Sequence, residues 1–269
     1  MKLVHISDIH INPETIDGAN STEQFQLVLN HVEKHHLDAD KIVITGDLTH
    51  LGKLESYQCL RNMLEASKLK GKLAPTLMIG NHDSRDNFMS VFPEVARDEN
   101  GFFQSVEQTE EGLFVYLDTK MEGYHAGEYC KPRQEWLRTV MSKAKADDQP
   151  VWLFMHHNPV KTYVANADII SLVNEKQFRT ILAEYNTTIK HIFFGHTHYS
   201  LSGTVNGIPI SAPRSTSHPN WPEFSGNPRW AGIGPIARNY NICFLTANDT
   251  VIHTIDFEIE DQIQWLDNA

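Results

Sequence analysis

Short apolar runs recur along the chain, and five of them end in residues able to donate to a metal. Leu3-Val4-His5-Ile6 leads into Asp8 and His10, Ile42-Val43-Ile44 into Asp47, and Leu77-Met78-Ile79 into Asn81 and His82. Trp152-Leu153-Phe154-Met155 precedes His156 and His157, and Ile192-Phe193-Phe194 precedes His196 and His198. Runs of this length, followed by glycine or polar residues, read as buried strands. As strands of one sheet they would gather all five tips on one edge, where open α/β folds place their active sites.

Between these runs the apolar spacing becomes helical. Ser21 and Gln24 read as a capping box ahead of Phe25, Val28, Leu29 and Val32. A second helix carries Leu54, Tyr57, Leu60 and Leu64, with Gly71 beyond its end. Strand, helix, strand, helix, strand predicts parallel βαβ units. After Asn87 two successive strands are expected, Phe102 to Val106 and Leu113 to Leu117, turning at Glu110-Glu111-Gly112. A helix with Trp136, Leu137, Val140 and Met141 follows, then the strand from Val151 and a helix through Phe178, Ile181, Leu182 and Tyr185. The C-terminal third is mostly β: Leu201 to Val205, Ile208 to Ser211, Ile242 to Leu245 and Val251 to Ile255. Two mixed sheets face to face with helices outside accommodate this mixture, in a single domain over residues 1–269 without repeats or linkers.

Residues 212–235 break the pattern. Five prolines alternate there with Trp221, Phe224 and Trp230. So long a loop is usually functional, and this aromatic content argues against disorder. It is expected to be a lid or a subunit contact, and its aromatic residues could stack a base or cage a quaternary ammonium.

Composition narrows the partners. The formal charge is 23 minus 34, or −11, which gives no phosphate-neutralising surface for polymeric DNA or RNA. No apolar run reaches the roughly 20 residues that span a bilayer, and Met1-Lys2-Leu3-Val4-His5 lacks a signal-peptide layout, so a cytoplasmic protein is expected. Cys59, Cys130 and Cys243 form no CxxC pair, which leaves structural zinc and redox chemistry unsupported.

Taken singly, Asp8-x-His10 and Gly46-Asp47 are ordinary turn chemistry. Gly80-Asn81-His82-Asp83 is more pointed, and Gly195-His196-Thr197-His198, with two imidazoles after a tight glycine turn, more so. Together they offer three carboxylate or amide donors and four imidazoles at strand ends, enough for two metals that share one carboxylate. Oxygen and imidazole donors suit iron, manganese, zinc, cobalt or magnesium, with iron and manganese favoured.

The ordered set D-x-H, G-D, G-N-H-D, H, G-H-x-H resembles the calcineurin-like binuclear metallophosphoesterases, over Asp8 to His198. Leu117-Asp118-Thr119 leading to Gln134-Glu135-Trp136-Leu137 is similar to the branch of class III cyclic-nucleotide phosphodiesterases and bacterial glycerophosphodiesterases. The resemblance implies a four-layer α/β/β/α fold. It also implies a first metal on Asp8, His10 and His198, a second on Asn81, His156 and His196, and Asp47 bridging them. Hydrolysis of a small phosphodiester would follow, by a hydroxide shared between the metals. His82 takes the place of the family's non-ligand histidine beside the phosphate, the expected catalytic residue, with Asp83 expected to orient it.

The remaining histidines read more plainly. His5 is expected to be structural, and His31, His35 and His36 solvated. His157 is either a support of the site or an ordinary hydrogen-bonded histidine, and His125 is a loop residue with some prospect of approaching substrate. Asn166 and Asp168 are loosely similar to a stretch near the glycerophosphodiesterase pocket, and His218 is open to either reading. Two alternatives use the same donors: a phosphomonoesterase or phosphocholine-type esterase, and a non-catalytic metal-binding scaffold. A homo-oligomer is compatible with the aromatic loop.

Overall fold

The computed structural model describes residues 1–15 and 20–266. Its elements in chain order begin β1 (Lys2–Ile6), α1 (Ser21–His35), β2 (Lys41–Ile44), α2 (Leu54–Ala66), β3 (Thr76–Leu77) and α3 (Arg85–Val91). They continue with β4 (Ser105–Gln108), β5 (Leu113–Tyr116), α4 (Lys131–Ala146), β6 (Val151–Phe154), α5 (Ala165–Asp168), α6 (Glu175–Glu184) and β7 (Ile189–Phe193). The last are β8 (Leu201–Val205), β9 (Ile208–Ala212), β10 (Asn220–Trp221), β11 (Gly232–Ile233), β12 (Tyr240–Leu245) and β13 (Thr250–Ile255), followed by a 3-10 helix, Phe257–Gln262.

Two large sheets result, with orders β13-β12-β1-β2-β3 and β4-β5-β6-β7-β9-β8, beside a two-stranded β10-β11 pair. In the first, β1 runs parallel to β2 and β2 to β3, with Val4 opposite Ile42 and Ile44 opposite Leu77. In the second, β5, β6, β7 and β9 are parallel, and antiparallel β4 and β8 close the edges. Three apolar layers separate four layers of structure. Phe25, Val28, Leu29 and Val32 of α1 and Tyr57 and Leu60 of α2 cover the outer face of the first sheet. Leu137, Met141, Phe178 and Ile181 cover the second sheet from outside. Leu3, Val43, Met78, Phe114, Trp152, Phe154, Phe193 and Cys243 fill the space between the sheets. Because central strands such as β6 are buried on both faces, they are continuously apolar rather than alternating.

Several sequence expectations shift. The donor-bearing tips do not belong to one sheet: β1, β2 and β3 lie in one, β6 and β7 in the other. The cap of α1 is Asn20, whose side chain accepts from the Glu23 N–H, so Ser21 is the first helical residue rather than the cap. Helix α2 ends at Ala66 with Ser67 as its cap, and Gly71 instead opens a short 3-10 turn with φ 63°. Strand β4 starts at Ser105, later than expected, and β3 is only two residues long before the chain leaves for the site. Among the described residues no helix is long and apolar enough to cross a membrane.

Candidate metal centre

The tips of the two sheets meet at one end of the sandwich. There Asp8, His10, Asp47, Asn81, His156, His196 and His198, the predicted donors, are all buried. Five of these seven, namely Asp8, His10, Asp47, His196 and His198, have positive φ, between 46° and 68°. Asp and His adopt this left-handed region more readily than most residues, but five at one site is a concentration of strained backbone. Backbone hydrogen bonds lock the loops together: the His10 N–H donates to the Asp47 carbonyl at 2.9 Å, and that of Asp8 to the Gly46 carbonyl at 3.2 Å. Two glycines allow the approach. A Cβ on Gly80 would lie 2.2 Å from an Asp47 carboxylate oxygen, and one on Gly195 would lie 1.9 Å from Ser7 Oγ.

Hydrogen bonds on the far side of three of the four rings set their tautomers. His156 Nδ1–H donates to the Thr45 carbonyl at 2.8 Å, His196 Nε2–H to the Ile170 carbonyl at 3.1 Å, and His198 Nδ1–H to the His218 carbonyl at 3.0 Å. The opposite nitrogens are therefore lone pairs pointing inward. His156 Nε2 and His196 Nδ1 face the same acceptor, Asn81 Oδ1, at 3.0 and 2.9 Å. His10 Nε2 and His198 Nε2 face each other at 3.1 Å. Asp47 Oδ2 stands 3.5 Å from His10 Nε2 and 3.4 Å from His156 Nε2, and Asp8 Oδ1 3.4 Å from His198 Nε2. Lone pairs and carboxylate oxygens converging in a buried space need positive charge among them, and the donor set fits two cations. Asp8, His10, Asp47 and His198 form one group, and Asn81, His156 and His196 with the Asp47 carboxylate the other.

Without cations, protons take their place. Burial works against a charged His156, yet the adjoining Asp47 carboxylate raises it to about 9. His198 is raised in the same way by Asp8 against the cost of burial. His196 is pushed down to about 3, by burial first and then by the neighbouring His156, which outweigh Asp47 and Asp8.

The structure reassigns some neighbours. Among the described residues the Asp83 carboxylate is not hydrogen-bonded to the His82 ring. That carboxylate accepts from Leu48, Thr49 and Gly80 N–H groups and from Tyr57 Oη, so it ties the Asp47 loop to the Asn81 loop. His82 instead donates from Nδ1 to the His50 carbonyl at 2.7 Å and stacks on the His50 ring at 5.3 Å. His50 had no sequence signal, because its contribution is a carbonyl and a ring face rather than a motif position. Asn81 Nδ2–H donates to His125 Nδ1 at 3.1 Å, which turns Oδ1 inward. His157 is a buried support, bonded to Thr119 Oγ1 and the His125 carbonyl. Asp168 caps its own turn at Thr162 and Tyr163. His5, as expected, is a buried structural residue bonded to Thr45 Oγ1.

A cavity of about 520 Å³ opens beside the first group, lined by His10, His50, His218, residues 233–238 and part of the 3-10 helix. Trp221, Phe224 and Trp230 do not line it; they stand exposed on the β10–β11 hairpin. The aromatic segment thus divides in two. Its first part is buried under the site, where Ser215 Oγ–H donates to the Asp8 carbonyl at 2.8 Å.

Residues 1–200 match the family model described as calcineurin-like phosphoesterase. The chain belongs to the calcineurin-like phosphoesterase family. A relative in Rhodopseudomonas palustris named "Probable cyclic nucleotide phosphodiesterase" is 35% identical over 81% of this chain and 79% of its own length. The 3',5'-cyclic adenosine monophosphate phosphodiesterase CpdA of Escherichia coli is 27% identical over 80% of this chain and 76% of its own. The glycerophosphodiester phosphodiesterase GpdQ of Enterobacter lignolyticus is 26% identical over 81% and 78%. Among solved structures, a dimetal phosphatase from Danio rerio superimposes with a TM-score of 0.68 at 14% identity, covering 94% of this chain and 95% of that one. At that identity the likeness shows the calcineurin-like phosphoesterase fold.

Proposed function

We propose that this phosphoesterase hydrolyses small phosphodiesters with two cations held by Asp8, His10, Asp47, Asn81, His156, His196 and His198, and that 3',5'-cyclic nucleotides are its first substrate class. Glycerophosphodiesters are the second. The observation that carries the reading is the fixed tautomers: three imidazoles have their outer N–H groups bound to backbone carbonyls, so their inner lone pairs meet carboxylate and amide oxygens. The names of the relatives favour cyclic nucleotides.

When bound, two such cations supply a water of lowered pKa and neutralise phosphate oxygens. The chain's own residues do the rest. His82 is anchored through Nδ1 to the His50 carbonyl, which presents Nε2 to the substrate. From there it would hold a proton against a phosphate oxygen or give it to the departing alkoxide. The rings of His10 and His125, 4.9 and 5.1 Å away, restrict how far His82 can tilt. The adjoining cavity would receive the organic part of the diester, between His218 and residues 233–238. Iron or manganese is the expected metal pair, and cytoplasm the expected location.

The test is metal analysis of the purified protein followed by hydrolysis assays on a cyclic nucleotide, a glycerophosphodiester and a phosphomonoester. Two metals per chain and preferential cleavage of the cyclic nucleotide are expected. Two metals with no cleavage of any of the three would remove the enzymatic reading.

A further inference from the structure

Helix α1 carries two histidines that the centre does not use, His31 and His35, and they are less exposed than their helix suggests. His31 and His35, one turn apart, pack with ring centroids 4.6 Å apart and planes tilted by 43°, and the exposed 3-10 helix at the C-terminal end brings Glu260 onto them. The Glu260 carboxylate lies 2.6 Å from His35 Nε2 through Oε1 and 3.5 Å from His31 Nε2 through Oε2. One atom from each residue falls within 4.8 Å of the others.

His31 is already oriented as a ligand would be. Its Nδ1 shares a hydrogen bond with Tyr240 Oη at 2.7 Å, which holds the ring with Nε2 turned toward a Glu260 carboxylate oxygen. Burial, then the neighbouring His35, lower its affinity for a second proton. Two ligands about 2.1 Å from a tetrahedral metal are separated by roughly 3.4 Å, close to the 3.5 Å between His31 Nε2 and Glu260 Oε2, whereas His35 Nε2 and Glu260 Oε1, 2.6 Å apart, would have to part to admit the ion. The frame is firm on both sides: Tyr240 belongs to β12, and Phe257, buried at the start of the 3-10 helix, stacks on it at 6.0 Å. Access remains open, since the side chains of His35 and Glu260 are 31% and 24% exposed. Lys34 now holds Glu260 Oε2 at 2.9 Å, and at 61% exposure it is free to swing into solvent.

We propose that His31, His35 and Glu260 form a mononuclear site for a divalent cation of the zinc class, with water completing the tetrahedron. Two imidazoles and one carboxylate suit zinc better than magnesium or calcium, which prefer all-oxygen shells. Binding exchanges charges simply: the cation replaces the Lys34 ammonium on Oε2 and displaces any proton on His35 Nε2. Such an ion would pin the 3-10 helix to α1. Glu258, Ile259 and Gln262 of that helix line the cavity beside His10 and His218. The ion would therefore fix one wall of the space where, on the function proposed above, the organic part of the substrate sits.

The test uses untagged full-length protein with its binuclear centre loaded, titrated with zinc and then freed of excess metal. Total metal is counted in the wild type and in H35A, E260Q and D47N. Three ions per chain are expected in the wild type and two in H35A and E260Q, each of which loses the zinc-induced rise in melting temperature. D47N, emptied at the centre, is expected to keep the zinc bound by the helix and to show the same rise. Two ions in the wild type, or three in both H35A and E260Q, would overturn the proposal. The D47N arm does not depend on the centre being catalytic, so failure of the proposed function would leave this result readable. Unchanged zinc-free melting in H35A and E260Q separates loss of a ligand from loss of the fold.

Discussion

The two groups of donors at the sheet tips are held by different means. Asp8, His10 and His198 all sit on left-handed backbone, and among the described residues His10 Nδ1 is buried with no hydrogen-bond partner. Asn81, His156 and His196 are each fixed by a side-chain hydrogen bond, to His125, the Thr45 carbonyl and the Ile170 carbonyl respectively, and only His196 has positive φ. The first group is positioned mainly by where the chain turns, with His198 alone also tied through its ring, to the His218 carbonyl, and the second by what its side chains touch. A set held by backbone geometry responds little to distant side-chain changes. A set held by hydrogen bonds depends on each partner.

The largest effect should erase the difference. Asp47 faces both groups, and Asp47→Asn is expected to reduce both occupancies and lower turnover roughly 1,000-fold or more. Cations contribute several kcal/mol of charge stabilisation, and each ~1.4 kcal/mol is tenfold. Metal counting beside steady-state kinetics checks this; loss of one ion alone would show that Asp47 serves one group. His82→Ala separates chemistry from occupancy, with kcat down ~100- to 1,000-fold and both metals retained. Turnover unchanged in that metal-replete variant would take His82 out of the mechanism. His125→Ala is sharper still. With its amide free to rotate, Asn81 should bind the second cation ~10- to 100-fold more weakly, while the first is unaffected in a competition with chelator.

The smallest effect concerns pH and the metal-free protein. His156 is raised above its ordinary value of 6.5 to about 9, so the folded state binds its proton more tightly than the unfolded chain does. The stability it contributes is complete below 6.5 and is lost as pH rises through about 9. Melting of the metal-free protein should therefore fall over that interval, and the metal-loaded protein, with no proton there to lose, should not follow. Parallel curves would mean that this imidazole does not carry the proton.

Much of this was legible because the chemistry lies at the ends of apolar runs. A buried strand must be apolar until it leaves the sheet, so the first polar residues after it mark the tip. The α1 face Phe25, Val28, Leu29 and Val32 and the α6 face Phe178, Ile181 and Leu182 were readable for a similar reason. What escaped depends on contacts distant in sequence. Nothing near Asp83 says that its carboxylate will reach the backbone of Leu48 and Thr49, or that His50 will lend its carbonyl to His82. Nor does helical spacing reveal that His31 will meet Tyr240 across 209 positions, which is why the α1 histidines read as solvated. The division of the tips between two sheets was likewise hidden, since both sheets use the same local grammar of run, turn and donor.

The missing side chain at Gly195 carries a last consequence. A methyl group there would collide with Ser7, which joins the tip of one sheet to the tip of the other. The sandwich is therefore pinched at this end to less than a methyl's width, and Gly195→Ala would act as a wedge. The second sheet would be levered from the first, starting at the donors and spreading toward Trp152 and Leu3 in the layer between them. Amide exchange should then lose protection first in the tips of β1 and β7, which makes the chemical end of the molecule also the clasp that keeps its two halves closed.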